Sequence, residues 1–74
     1  MINVGGRKVD PGEVTEVLRA VAAVRDVAVI EYTRPGGDGS MVAIVARDGE
    51  VAAAELREHC RQRLSAFKVP ERFI

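Results

Sequence analysis

The segment INVGGRKVDPGEV, residues 2–14, constrains the fold more than any other part of the chain. Asp10 can cap a helix with its carboxylate, and Pro11 fits the first helical turn, where no backbone N–H is needed. Glu13 follows the cap by three positions and can close a capping box by turning back to the backbone of Asp10. We therefore expect a helix to begin at Pro11.

A glycine pair interrupts the β-patterned residues that precede this helix. Gly5 and Gly6 adopt without strain the positive φ angles that tight turns require, and they let a ligand approach the backbone closely. Because Arg7 and Lys8 follow the glycines, the turn is a candidate anion site. The alternative is that the glycines only shape the turn and that Lys8 is solvated. The pattern predicts a short hairpin with strands at Ile2–Val4 and Arg7–Val9.

Composition limits the class of protein. A chain of 74 residues forms one small domain, which buries only about 60% of the surface of its unfolded chain. Lys and Arg number 11, as do Asp and Glu, so net charge provides no general attraction to nucleic acid or to an anionic membrane. The single cysteine, Cys60, excludes an internal disulfide and is typical of a reducing compartment. We expect a cytoplasmic protein, since the sequence contains no signal peptide and no apolar run of the roughly 20 residues that span a membrane.

The spacing of apolar residues predicts two helices. The first runs from Pro11 to about Ala23, and the second from about Val51 to Ser65. Cys60 lies on the apolar stripe of the second helix, so we expect a buried and unreactive thiol. His59 can reach Glu55 one turn earlier and, as the only histidine, cannot anchor a metal site. The two stripes consist of Val14, Val17, Leu18 and Val21, and of Ala53, Leu56, Cys60, Leu64 and Phe67.

Two β-branched runs, Val27–Thr33 and Met41–Ala46, are predicted strands. The turn-forming residues of Arg34–Gly39 between them predict antiparallel neighbours. We reject phosphate binding by this loop, because no Gly-Lys-Ser/Thr follows and the next element is a strand. Both runs are apolar at nearly every position, which is typical of a sheet covered on both faces. Two helices can hardly cover both, so we expect part of the sheet to rest on a larger enzyme or on a second copy of the chain.

The end of the chain has the pattern of one more strand. Lys68-Val69-Pro70 ends the helical region, and Arg72–Ile74 begins the new pattern. The predicted fold is α+β, with a small sheet of about three strands packed with two helices and preceded by a short glycine-containing hairpin. We expect one domain over residues 1–74 and, because the chain stops inside a strand pattern, a fragment. The sequence contains no catalytic triad, carboxylate pair, metal cluster or Walker-type loop.

Three segments in the same order resemble one protein family. Residues 2–14 match the pattern I-x-V-x-G-x-K/R-V-x-P-x-E-V, and RDVAVIEYTRPGGDG resembles the family's strand and turn. ELREHCRQRLSAFKVPERFI resembles its second helix and the approach to its final strand. The chain thus resembles the C-terminal lid subdomain of adenylate-forming enzymes over essentially its whole length. The paired glycines are most similar to those of AMP-forming acyl-CoA synthetases.

The resemblance implies a lid that rotates on a larger N-terminal adenylation domain. In the adenylation pose the family uses a lysine from a P-x-T-x-x-G-K-I/L loop, before which this chain would be truncated. In the thioester pose, the resemblance assigns binding of CoA or of a carrier protein's pantetheine to Gly5, Gly6, Arg7 and Lys8. It implies no catalytic or metal-binding residue in this chain, which we do not expect to be active in isolation. ATP, Mg²⁺ and CoA are implied for the full-length enzyme.

Two other functions stay open. The chain can be a stand-alone protein-binding or dimerisation module that retains the lid fold and docks to a carrier protein or to itself. It can also be a small ligand-sensing α+β domain unrelated to synthetases, if the match of residues 2–14 arose by chance. An upstream ATP-binding domain and a downstream glycine-lysine loop would distinguish a lid from both.

Overall fold

The described residues form a two-stranded hairpin, a three-stranded sheet and two α-helices, which confirms the predicted α+β class. The structure, a computed structural model, describes residues 1–33, 35–37 and 39–74. In chain order the elements are β1 (Ile2–Val4), β2 (Arg7–Val9), α1 (Pro11–Arg19), β3 (Val24–Thr33), β4 (Gly39–Arg47), α2 (Ala53–Arg61), a 3-10 helix (Ala66–Lys68) and β5 (Arg72–Phe73).

Helix α1 begins where the sequence predicts. The Asp10 carboxylate accepts a hydrogen bond from the N–H of Gly12 at 2.9 Å, and Pro11 occupies the first helical position. The capping-box prediction for Glu13 is wrong, because its carboxylate lies 2.8 Å from Lys68 Nζ instead. The helix also ends at Arg19, before the predicted end, since the chain turns there to enter β3.

The three-stranded sheet has the order β3-β4-β5. β3 and β4 pair antiparallel from Val24 opposite Arg47 to Thr33 opposite Gly39, as predicted, although both strands are longer than expected. β5 pairs parallel with β4, which confirms a strand at the end of the chain. Arg34 and Asp38 of the predicted turn lie outside the described residues.

The sheet presents one face to the helices and the other to solvent. Val27 and Ala43 on the inner face share one core with Leu18 of α1 and with α2. On the outer face Ile30 is 44% exposed and Ile44 is 42% exposed. The expectation that the two helices cover only one face of the sheet is confirmed, and coverage of the other face by a larger enzyme or a second copy of the chain stays a prediction. We call Ala28, Ile30, Val42, Ile44 and Ala46 the outer sheet face.

Helix α2 is shorter than predicted, and its stripe is only partly buried. Cys60 is fully buried, as expected, and burial raises the pKa of its thiol. Ala53 is exposed, and Phe67 belongs to the 3-10 helix. His59 has a partner that the sequence did not predict, since its Nε2 lies 2.8 Å from the carbonyl oxygen of Val17 on α1 and so links the two helices. Within the described residues, no helix is long and apolar enough to cross a membrane.

Candidate functional site

The glycine pair forms the tip of the β1–β2 hairpin. Gly5 has a φ of 55° and Gly6 a φ of 85°, so both central residues of the turn lie in the left-handed region. A two-residue turn of this kind twists in the sense that a hairpin requires, and glycine enters it without strain. The predicted hairpin is confirmed, and its strands pair from Ile2 opposite Val9 to Val4 opposite Arg7.

The hairpin tip lies against one end of the three-stranded sheet. The N–H of Gly5 donates to the carbonyl oxygen of Gly39 at 3.3 Å, and the N–H of Asn3 donates to the Glu31 carboxylate at 3.2 Å. Asn3 also accepts, through Oδ1, a hydrogen bond from the N–H of Gly6 at 3.0 Å. A Cβ atom at Gly39 would lie 2.2 Å from the carbonyl oxygen of Asn3, so only glycine permits this approach of β4 to the hairpin.

A groove of about 330 Å³ opens between the hairpin tip and the sheet. Its volume is at the lower end of the range for small-molecule sites, which suits a narrow ligand segment. The backbone of the glycines and the carboxylate of Glu31 give the groove a polar lining that contains hydrogen-bond acceptors. The described residues that line this glycine groove are Asn3, Gly5, Gly6, Glu31, Thr33, Gly37 and Gly39.

The two basic residues after the glycines lie on opposite faces of the hairpin. Arg7 pairs with Val4, and its guanidinium carbon lies 4.9 Å from the centre of the Phe67 ring. Lys8 pairs with Asn3, so its side chain leaves the opposite face and is exposed. Neither belongs to the described lining of the glycine groove. The structure therefore does not bring the two cations together, and the assignment of both to one pantetheine site stays a prediction.

Arg7 and Lys68 both contact the ring of Phe67 and form a cation-aromatic cluster beside the hairpin. Lys68 Nζ lies 5.8 Å from the centre of the Phe67 ring, which Arg7 also contacts, and 2.8 Å from the Glu13 carboxylate. Contacts between a cation and a ring are worth about 0.5–1 kcal/mol at exposed sites. Arg7 directly follows the glycine turn, so through these contacts the 3-10 helix and α1 hold β2 at the turn end of the hairpin.

Two carboxylates that no sequence pattern singled out, Glu31 and Glu71, hold parts of this structure together. Glu31 is the only charged residue in the apolar run Val27–Thr33, and that isolation is a signal that could have revealed it. Glu71 accepts hydrogen bonds from Tyr32 and, at 2.8 Å, from the hydroxyl of Ser40, which joins β5 to the other two strands. Nothing in the sequence around Glu71 indicates that role.

Cys60 and the side chains around the glycine groove limit the catalytic chemistry that the described residues can carry out. Cys60 is buried, and its removal from water is the main reason that the pKa of its thiol is raised. The thiolate needed for nucleophilic attack is therefore disfavoured. Among the described residues, no group of three or more His, Cys, Asp and Glu side chains is arranged to hold a metal ion. The glycine groove can bind and orient a ligand through its backbone, and we assign it no proton-transfer or nucleophilic step.

Comparisons of this chain with known proteins agree on one family. The profile described as AMP-binding enzyme C-terminal domain matches residues 13–74. A 2,3-dihydroxybenzoate-AMP ligase of Bacillus subtilis is 42% identical over 73 residues, which cover 96% of this chain and 14% of the ligase. A long-chain-fatty-acid–CoA ligase of Mycobacterium tuberculosis is 35% identical over 75 residues, which cover 100% of this chain and 15% of the ligase.

The similarity extends to solved structures. A fatty acyl CoA synthetase of Mycobacterium tuberculosis superposes with a TM-score of 0.92 and 36% identity, covering 100% of this chain and 15% of the synthetase. The o-succinylbenzoate CoA synthetase of Bacillus subtilis, in complex with its acyl-adenylate intermediate, gives a TM-score of 0.92 and 30% identity over 99% of this chain. This chain thus spans about 15% of the length of its relatives. It belongs to the family of AMP-binding enzyme C-terminal domains, the small domain of AMP-forming acyl-CoA synthetases.

Proposed function

We propose that this chain is the lid subdomain of an AMP-forming acyl-CoA synthetase and that its glycine turn serves the second half-reaction. In the first half-reaction, a carboxylic acid attacks ATP to give acyl-AMP and pyrophosphate. In the second, the thiol of CoA or of a carrier protein's pantetheine attacks acyl-AMP to give the thioester and AMP. The observation that carries the proposal is the glycine groove, where a positive-φ turn lies beside a narrow polar opening.

The chemistry of the groove suits the neutral arm of pantetheine. The N–H groups of Gly5 and Gly6 already donate within the chain, so a ligand there meets α-carbons and carbonyl oxygens. Amide N–H groups, of which pantetheine has two, match such acceptors. The carboxylate of Glu31 in the lining repels a phosphate, which makes the uncharged arm the better occupant.

Arg7 and Lys8 have a separate part in this proposal. Phosphate groups of CoA are recognised by cations, and both residues follow directly on the glycine turn. Lys8 is exposed on the face of the hairpin that carries Asn3, while Arg7 is anchored on Phe67. We infer that the cations meet the charged end of the acceptor and that the glycines contact its neutral arm.

The proposal treats residues 1–74 as a single lid subdomain that acts on an N-terminal adenylation domain. The family's P-x-T-x-x-G-K-I/L pattern does not occur within these residues, so the adenylating lysine belongs to another part of the parent enzyme. ATP, Mg²⁺ and the acyl substrate are proposed ligands of that enzyme, to which this chain contributes no catalytic residue. A cytoplasmic location agrees with the free thiol of Cys60.

A chimaera tests the proposal, with residues 1–74 replacing the aligned segment of the Mycobacterium tuberculosis ligase. Gly6→Leu should obstruct the groove and strain the turn, because its φ of 85° disfavours a side chain. We expect pyrophosphate exchange to be retained and acyl-CoA formation to fall by about 100-fold, which corresponds to about 2.7 kcal/mol of transition-state stabilisation.

Gly49→Leu is the matched control for this substitution. Gly49 also has a positive φ, of 124°, and open space around its α-carbon, but it follows the far end of β4 from the groove. Gly49→Leu should strain the backbone similarly and leave the ratio of the rates of the two half-reactions unchanged. Equal losses in both half-reactions for Gly6→Leu, in protein that melts normally, would refute the binding role of the turn.

A further inference from the structure

Glu31 is an exposed carboxylate near the end of β3, beside the hairpin. It lies on β3 opposite Met41, which is buried, so its side chain leaves the sheet on the face that carries the core. Its Oε2 atom accepts the N–H of Asn3, a residue 28 positions away, at 3.2 Å. The same oxygen passes 3.8 Å from the position that a Cβ atom would take at Gly39, where β4 meets the hairpin.

The hairpin needs such an anchor. A two-stranded ribbon is marginally stable in water by itself, so contacts with the sheet must hold the tip in place. The bond from Gly5 to Gly39, at 3.3 Å, and the bond from Asn3 to Glu31, at 3.2 Å, are similar in length, but the first joins two neutral groups. The bond to Glu31 has a charged acceptor, and hydrogen bonds to ionised groups are about twice as strong as neutral ones.

The contact also acts on the turn through Asn3. The backbone N–H of Asn3 donates to Glu31, and the side chain of the same residue accepts from the N–H of Gly6. A displacement of Asn3 therefore moves the acceptor that fixes the second glycine. These two successive hydrogen bonds, Asn3 to Glu31 and Gly6 to Asn3, couple the position of the turn to that of the sheet.

From this geometry we infer that Glu31 is a positioning residue for the thioester half-reaction, which it serves by holding the glycine turn against the sheet. The inference rests on the proposed function of that turn. Although Glu31 also lines the glycine groove, the role inferred here acts through Asn3 on the turn and involves no contact with the reacting thiol or acyl group. Loss of its carboxylate lowers the fraction of molecules whose turn can receive pantetheine, which weakens apparent binding of the acceptor more than it slows the chemical step.

The test uses the same chimaera with two substitutions at one position. Glu31→Ala removes the acceptor, and we expect the KM for CoA to rise by about five- to tenfold with a kcat for acyl-CoA formation within about twofold of the parent value. Pyrophosphate exchange should be unchanged. Glu31→Gln supplies a neutral amide oxygen that can accept the same N–H, and it should restore the KM only in part, to within about threefold of the parent.

Hydrogen exchange gives a readout that does not depend on activity. In the Glu31→Ala chimaera, the peptide that contains Asn3 and Gly6 should exchange its amide hydrogens about fivefold faster or more, while peptides of α2 keep their rate. Glu16→Ala, which removes an exposed carboxylate from α1, is the matched control and should change neither exchange nor KM.

The outcomes separate this inference from the proposed function. If Gly6→Leu separates the half-reactions and Glu31→Ala changes neither KM nor exchange, the positioning role is overturned and the proposed function stands. If Glu31→Ala lowers both half-reactions equally together with the melting temperature, Glu31 is only structural and the inference fails. If Gly6→Leu itself lowers both half-reactions equally, the proposed function fails.

Discussion

Two threonine substitutions in one strand test whether the sheet has one buried face. Val27 is 9% exposed on the inner face, and Ile30 is 44% exposed on the outer face. Val27→Thr keeps the shape and the β-branching but buries a hydroxyl group without a partner, which costs about 1–3 kcal/mol. Ile30→Thr replaces a partly exposed ethyl group by a hydroxyl that lies in water, so we expect a loss of about 0.5–1 kcal/mol.

Thermal melting of the two variants measures the difference. For a domain of this size, 1 kcal/mol shifts the melting temperature by about 4–8 °C, so Val27→Thr should melt well below Ile30→Thr. Sedimentation establishes the protein concentration at which the chain is monomeric, and the melts are recorded there. Equal destabilisation by the two substitutions in the monomer would mean that the outer face is also covered within the chain, which would refute the one-sided core.

Two further predictions concern the outer sheet face and the buried thiol. We expect the isolated chain to self-associate at high micromolar concentration, because the outer sheet face is apolar and exposed, and Ile44→Lys should make it monomeric; a clean monomer of the parent chain in sedimentation would contradict this. Burial raises the pKa of the Cys60 thiol above its ordinary value of 9.0, so the unfolded chain loses that proton first as pH rises. The contribution of Cys60 to stability is therefore complete below about pH 9 and declines above it. Denaturant unfolding from pH 8 to pH 10 should show a steeper loss of stability in the parent than in Cys60→Ala, and parallel curves would exclude the effect.

The sequence determined the elements whose signals are local. Asp10 and Pro11 mark the start of α1 because a cap and a first-turn proline act within one helical turn. Gly5 and Gly6 mark the hairpin tip because only glycine adopts successive positive φ angles freely. The antiparallel β3–β4 pair follows from two β-branched runs joined by turn formers. These signals, together with the resemblance of residues 2–14, were enough to identify the family.

Tertiary structure decided which residues meet across long stretches of chain. Asn3 and Glu31 are 28 positions apart, and His59 and Val17 are 42 apart, so no periodicity relates them. The sequence placed Arg7 beside Lys8, but the alternation of a strand sent their side chains to opposite faces of the hairpin. The apolar runs of β3 and β4 resembled a sheet covered on both faces, and the packing of both helices on one side left the other face in solvent. Local patterns specify backbone conformation, whereas the partner of a side chain depends on how the elements pack.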